Sequence, residues 1–315
     1  MYNFKISNIR AFAIISVVLG HSIILYSSKW HLMPTDIACP FFDYLKDFIN
    51  LYQMEIFFFI SGYLTRNSFK QDFKSFFSNK VKRLIIPYFC IGLFYMLPIK
   101  ILLSCPFYQN KDFISIIGSF IIGSNNGHLW FLYALFFIFI LYKSLNNITE
   151  KLTKQFYFIV LAIAFIFQMI PIQHTYFNIS SVLFYGLWFQ AGVCCQYQKA
   201  EYVFLPIFIF NLILKNIPSC ISCLIVFTLV KTMPNKKNGL MEYISKRSYG
   251  IYLIHSPLVY ITYTYIPNAN PIIICLVNFF VGGFISLLFT NLIGNSKLRF
   301  IIGEKYVSFQ NWRID

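Results

Sequence analysis

The stretch RAFAIISVVLGHS, Arg10 to Ser22, decides the fold. Its ionisable residues are Arg10 and His21, and the ten residues between them carry no charge. The apolar run extends on both sides to about 9–28, long enough to cross a bilayer as a helix. The same texture recurs along the whole chain. Of 315 residues, 58% are hydrophobic and 12% are charged. A soluble domain of this size carries roughly a quarter charged residues, and a chain this poor in charge cannot cover itself with polar surface, so lipid is its solvent.

Nine further apolar stretches follow, near 48–65, 84–104, 128–145, 155–171, 180–197, 201–214, 217–231, 249–266 and 272–293. The pattern predicts an all-α integral membrane protein, a bundle of about ten transmembrane helices in a single domain over 1–315. Residues 113–123 are apolar but too short to span, and read as an interfacial or re-entrant piece. Lys215-Asn216 followed by Pro218 reads as a tight turn between two short spans. The first span lacks a small-residue cleavage site, so no cleavable signal peptide is expected. With the amino terminus inside, only Lys29, Lys46, Lys100, Lys111 and Lys215 of the 26 Lys and Arg fall in outer segments. The positive-inside rule therefore places both termini in the cytoplasm. The net charge of +15 follows from that asymmetry and calls for no nucleic-acid partner.

Ionisable residues inside a bilayer are costly and mark candidate sites. Arg10 and His21 are eleven residues apart, so they share a helix face to within about 20°, with roughly 16 Å between their levels. In EIFFFISGYLTR, Glu55 and Arg66 have the same separation on a helix running the opposite way. Glu55 should then lie deep beside His21, beneath an Arg10/Arg66 pair at the cytoplasmic edge. This suggests a base oriented by a carboxylate, under a cationic mouth suited to a phosphorylated ligand. A purely structural Glu–His hydrogen bond accounts for the same residues, and the spacing does not choose.

The inner loop 66–83 adds Lys80, Lys82 and Arg83, which either set topology or bind phosphate. Ser61-Gly62 should let another backbone approach closely. GHLWFLYALF, Gly127 to Phe136, puts His128 and Trp130 at the outer end of the fourth span, in an aromatic belt or a binding role. SYGIYLIHSP, Ser248 to Pro257, puts His255 in the ninth span toward the cytoplasmic side, as a packed polar residue or a ligand contact. His31 and His174 read as solvated loop residues. Cys220-x-x-Cys223 sits in an apolar span without a second pair or a nearby His, and reads as packing.

These motifs, in this order, resemble the acyltransferase-3 family of membrane acyltransferases: R-x10-H, EIFFFISGYL, VKRLIIPY (Val81 to Tyr88), GHLWFLYALF and SYGIYLIHSP. The likeness runs over roughly 5–300. It implies a ten-helix domain that moves an acyl group, usually acetyl from cytoplasmic acetyl-CoA, to a hydroxyl of a glycan or related acceptor. The family's R-x10-H falls on Arg10 and His21, its acidic residue on Glu55, and its basic cluster on Lys80, Lys82 and Arg83. Many members carry W-S-L followed by a glutamate, whereas this chain has HLWFLYALF. That departure is more similar to the subgroup modifying sugars or exopolysaccharides, and it leaves the acceptor open.

The resemblance thus implies a multi-pass O-acetyltransferase of the cell (inner) membrane, with His21 and Glu55 catalytic. Arg10, Arg66, Lys80, Lys82 and Arg83 would hold acetyl-CoA, His128 and Trp130 would receive the sugar, and no metal is expected. Two other classes fit the buried charges. A transporter or flippase of a glycan or lipid-linked precursor would use them for proton coupling, but should show symmetry between its halves, and none is visible. A scaffold without turnover is the other.

Overall fold

The computed structural model describes residues 3–28, 38–149, 156–170, 176–266 and 269–304. Lys29, His31 and His174 lie outside them. Every regular element among the described residues is helical. In chain order they include α1 (Phe4–Ile23), α2 (Pro40–Asn50), α3 (Gln53–Tyr63), α4 (Phe73–Leu102), α5 (Phe113–Ile121) and α6 (Gly127–Leu145). After these come α7 (Phe156–Gln168), α8 (Ile179–Cys194), α9 (Ala200–Ile213), α10 (Ile217–Thr232), α11 (Gly239–Tyr265) and α12 (Pro271–Gly294).

Five helices among the described residues are long and apolar enough to cross a membrane: Phe4–Tyr26, Phe73–Leu102, Gly127–Leu145, Tyr176–Cys194 and Pro271–Gly294. The last has the highest mean hydropathy, 2.6, yet only 28% of its apolar stretch is buried. A soluble protein buries its greasiest helix, whereas one that exposes it requires lipid. By contrast α1 is 72% buried and packs against both α3 and α11.

Three boundaries differ from the sequence reading. The stretch 48–65 is not one helix, because the backbone turns at Tyr52 and separates α2 from an α3 of eleven residues. That turn involves neither Gly nor Pro, so hydropathy does not register it. α11 starts at Gly239, ten residues before the apolar run at 249, its first turns being polar and capped by the Asn238 side chain on the Met241 N–H. α4 begins at Phe73, eleven residues before the run at 84. The short α5 and the turn at Lys215, where φ is +56°, are as read.

α3 and α8 touch backbone to backbone. A Cβ added at Gly62 would lie 1.9 Å from the Phe189 carbonyl oxygen, and one at Gly192 2.0 Å from that of Phe59. Small residues at such crossings allow the close packing that drives helix association in lipid. Replacing either glycine with Ala should destabilise the protein by about 1–3 kcal/mol or more, since a backbone atom cannot step aside as a side chain can. Gly118 on α5 has open space where a Cβ would go. Gly118→Ala should therefore leave the melting temperature in detergent unchanged, while Gly62→Ala and Gly192→Ala lower it.

Prolines inside two helices free carbonyls that side chains then use. Pro87 has no N–H to offer Arg83 one turn earlier, and the Tyr249 hydroxyl donates to the Arg83 carbonyl at 2.6 Å. Pro257 in α11 likewise leaves the Leu253 carbonyl free, and His128 Nε2 donates to it at 3.1 Å.

Candidate active site

Two cavities lie within the bundle. The first, about 230 Å³, opens near the start of α1 and is lined by Arg10, by Lys80 and Arg83 of α4, and by Ser248 and Tyr249 of α11. The second, about 480 Å³, lies toward the other end of α1 and is lined by His21, His128, Trp130, Lys46 and Lys100. Tyr252 of α11 stands in the wall of both. Its hydroxyl donates to the His128 carbonyl, which fixes the ring between the two chambers.

Three imidazoles converge, two of them, His21 and His128, in the lining of the second cavity and the third, His255, behind them. The ring centres of His21 and His255 are 4.8 Å apart, those of His128 and His255 5.8 Å, and those of His21 and His128 6.5 Å. Their protons follow from the hydrogen bonds, because a carbonyl only accepts. His255 Nδ1 lies 2.9 Å from the Ile251 carbonyl, so Nδ1 carries the proton and Nε2 the lone pair. That Nε2 is 3.2 Å from His21 Nδ1, which also lies 3.0 Å from the Val17 carbonyl. His21 Nδ1–H is thus shared between two acceptors, and the lone pair of His21 is on Nε2. For His128, Nε2–H donates to Leu253, and the buried Nδ1 has no partner among the described residues.

The chain of contacts Ile251 carbonyl, His255, His21 leaves one imidazole poised as a base and holds it from behind. This is the logic of a general base oriented by a second group, with an imidazole in the orienting position.

Glu55 does not take that position. Its carboxylate makes no hydrogen bond to His21, and the buried Oε2 has no partner among the described residues. Its electrostatic neighbour is Tyr185, whose ring stacks on Phe58 with centres 4.5 Å apart. Equal spacings put Glu55 and His21 on comparable levels but say nothing about how the two helices are rotated toward each other. Arg66 and Lys82 are exposed and outside the first cavity's lining, with the Arg66 guanidinium 5.9 Å over the Tyr197 ring. Arg10, Lys80 and Arg83 do share that cavity, and Lys80 Nζ lies 3.4 Å over Phe139.

His128 and Trp130 line the same cavity as His21, with Trp130 tilted against Tyr185 at 5.3 Å. His255 enters from α11 as a direct partner of His21. Its motif was visible, but starting the helix at 249 put it too near the cytoplasmic edge. Lys46 and Lys100, read as outer-segment charges, are 2% and 8% exposed and face the second cavity.

Compared with models of known families, the chain matches one described as an acyltransferase domain over residues 3–217. Neither the curated proteins nor the solved structures contain a match.

Proposed function

Because the chain belongs to the acyltransferase-3 family, a multi-pass membrane acyltransferase assignment is its starting point, and we propose that it is an O-acetyltransferase acting on a glycan hydroxyl. The observation that carries this reading is the pair of chambers sharing Tyr252, one basic and the other holding the lone pair of His21. Acetyl-CoA would be received in the first chamber, its phosphates held by Arg10, Lys80 and Arg83, with the exposed Arg66 and Lys82 adding long-range attraction. The acceptor would enter the second, where His128 and the Trp130 ring offer a lone pair and a stacking face.

His21 Nε2 would take the proton of the acceptor hydroxyl as its oxygen attacks the thioester carbonyl. An acyl–oxygen bond forms, the acyl–sulfur bond breaks, and the proton passes from His21 to the departing thiolate. His255 Nε2 accepts the His21 Nδ1–H throughout and so favours the imidazolium that forms transiently. Attack by His21 itself, giving an acyl-histidine, uses the same lone pair. The orienting role foreseen for Glu55 falls to His255 and the Val17 carbonyl. Ten crossings of the inner membrane with both termini cytoplasmic complete the reading, supported by the bias of Lys and Arg.

Purified protein in detergent should release free thiol from acetyl-CoA, and release should accelerate with an oligosaccharide acceptor that gains mass by one acetyl group. Absence of both from folded protein would sink the assignment. Arg10→Ala should weaken acetyl-CoA binding by about ten- to hundredfold, the size of a charge-assisted hydrogen bond, and flatten its salt dependence. Arg10→Lys should recover only part, since an ammonium does not reproduce a forked phosphate contact. Calorimetry showing unchanged affinity in Arg10→Ala and Arg83→Ala alike would place the phosphates elsewhere.

A further inference from the structure

Two Gly-His pairs border the second cavity, Gly20-His21 and Gly127-His128, and each glycine makes room for a lysine. A Cβ on Gly20 would lie 3.0 Å from Lys46 Nζ, and one on Gly127 2.9 Å from Lys100 Nζ. Gly127 also has φ at +51°, a conformation that residues with a Cβ seldom adopt. Each ammonium is therefore seated against the backbone immediately before a site histidine. Lys46 reaches the cavity from α2 and Lys100 from the last turn of α4.

No carboxylate lines this cavity among the described residues. Lys100 has no acidic partner there, and its ammonium faces the Tyr260 ring at 5.0 Å. The Tyr108 hydroxyl and the Asn125 amide stand on the same wall and face each other. A buried cation is costly without a counter-charge. The arrangement is suited to a ligand that brings an anionic group with it.

We propose that the second cavity selects an acidic acceptor, whose carboxylate or phosphate is held by Lys100 and Lys46 so that a neighbouring hydroxyl meets His21. The idea rests on the acyl-transfer reading above and adds the class of acceptor to it. The anion comes either from an acidic sugar of the glycan or from the phosphate of a lipid-linked precursor, and both present the same chemistry to the lysines.

Binding decides it independently of turnover. Protein in nanodiscs is titrated with a uronic-acid tetrasaccharide, the matched neutral tetrasaccharide, and a neutral sugar on a polyprenyl phosphate. At least one acidic probe should bind tenfold or more tightly than the neutral one. A preference confined to the uronic acid assigns the anion to the glycan, and one confined to the phosphate assigns it to the lipid-linked form. Lys100→Gln should abolish the preference and Lys100→Arg should retain it, with acetyl-CoA affinity as the check on folding. Equal affinity for acidic and neutral probes, binding of none at millimolar concentration, or a preference that survives in Lys100→Gln overturns the proposal. If the preference holds but no acetyl group ever moves, the acyl-transfer reading fails and the anion site stands. If neutral sugars are bound and acetylated as well as acidic ones, the reverse is true.

Discussion

His21→Ala should lower acetyl transfer by about 10³-fold or more, within the range that positioned general bases supply, while acetyl-CoA still binds. The expectation follows from the tautomer. His21 Nδ1–H is committed to the Val17 carbonyl and His255, which leaves Nε2 as the lone pair directed at the acceptor chamber. His21→Gln keeps a polar group of similar reach but no basic nitrogen, and should be as inactive as the alanine variant. Turnover near that of the parent protein in either would remove His21 from the chemistry. Separating chemistry from donor binding is straightforward here, because Arg10, Lys80 and Arg83 stand in the other chamber, and a variant that loses both activities reports misfolding.

The second large effect concerns His255. Its Nε2 accepts from His21 at 3.2 Å, with its own Nδ1 anchored on Ile251. Replacing it with Leu removes that acceptor and leaves the His21 ring held by the Val17 carbonyl alone. The loss of one buried hydrogen bond to a group that becomes charged predicts a fall in kcat of about ten- to hundredfold, with little change in KM. His255→Gln presents an amide oxygen to His21 and should rescue part of the loss. The double variant His21→Ala/His255→Leu should be no slower than His21→Ala alone, because a positioning residue has nothing left to position. The acidic limb of the pH–rate profile should also move in His255→Leu, a change that a merely structural role would not produce. Additive losses, or a profile that does not move, would show that His255 acts on folding alone.

Arg10 and His21 were legible in sequence because a single helix relates them, and one helix has a known rise and twist. Gly62 was legible for a similar local reason, since a small residue in an apolar helix admits a neighbour whatever that neighbour is. The partner of His21 was not. Glu55 and His255 both lie on helices that pack against α1, and only the rotation of those helices decides which side chain faces it. Nothing in either spacing carries that rotation. That Lys46 and Lys100 turn inward was not legible for another reason. A hydropathy reading treats a lysine beside an apolar run as the marker of an aqueous edge, whereas both ammonium groups turn inward to a polar chamber that many distant residues enclose.

Pro257 touches neither chamber, yet the anchorage of His128 depends on it. The acceptor for that imidazole is a main-chain oxygen, so no substitution at Leu253 can delete it. What would weaken it is a competing amide one turn later, and any residue other than proline at 257 supplies one. The vulnerability of the site is thereby moved to a position with no chemistry of its own. Scanning the chain for loss of activity would mark Pro257 among the sensitive positions, and ranking by proximity to substrate would pass over it. Conversely, a change of side chain at Leu253 itself leaves that acceptor in place, because what holds the ring there is written into the backbone.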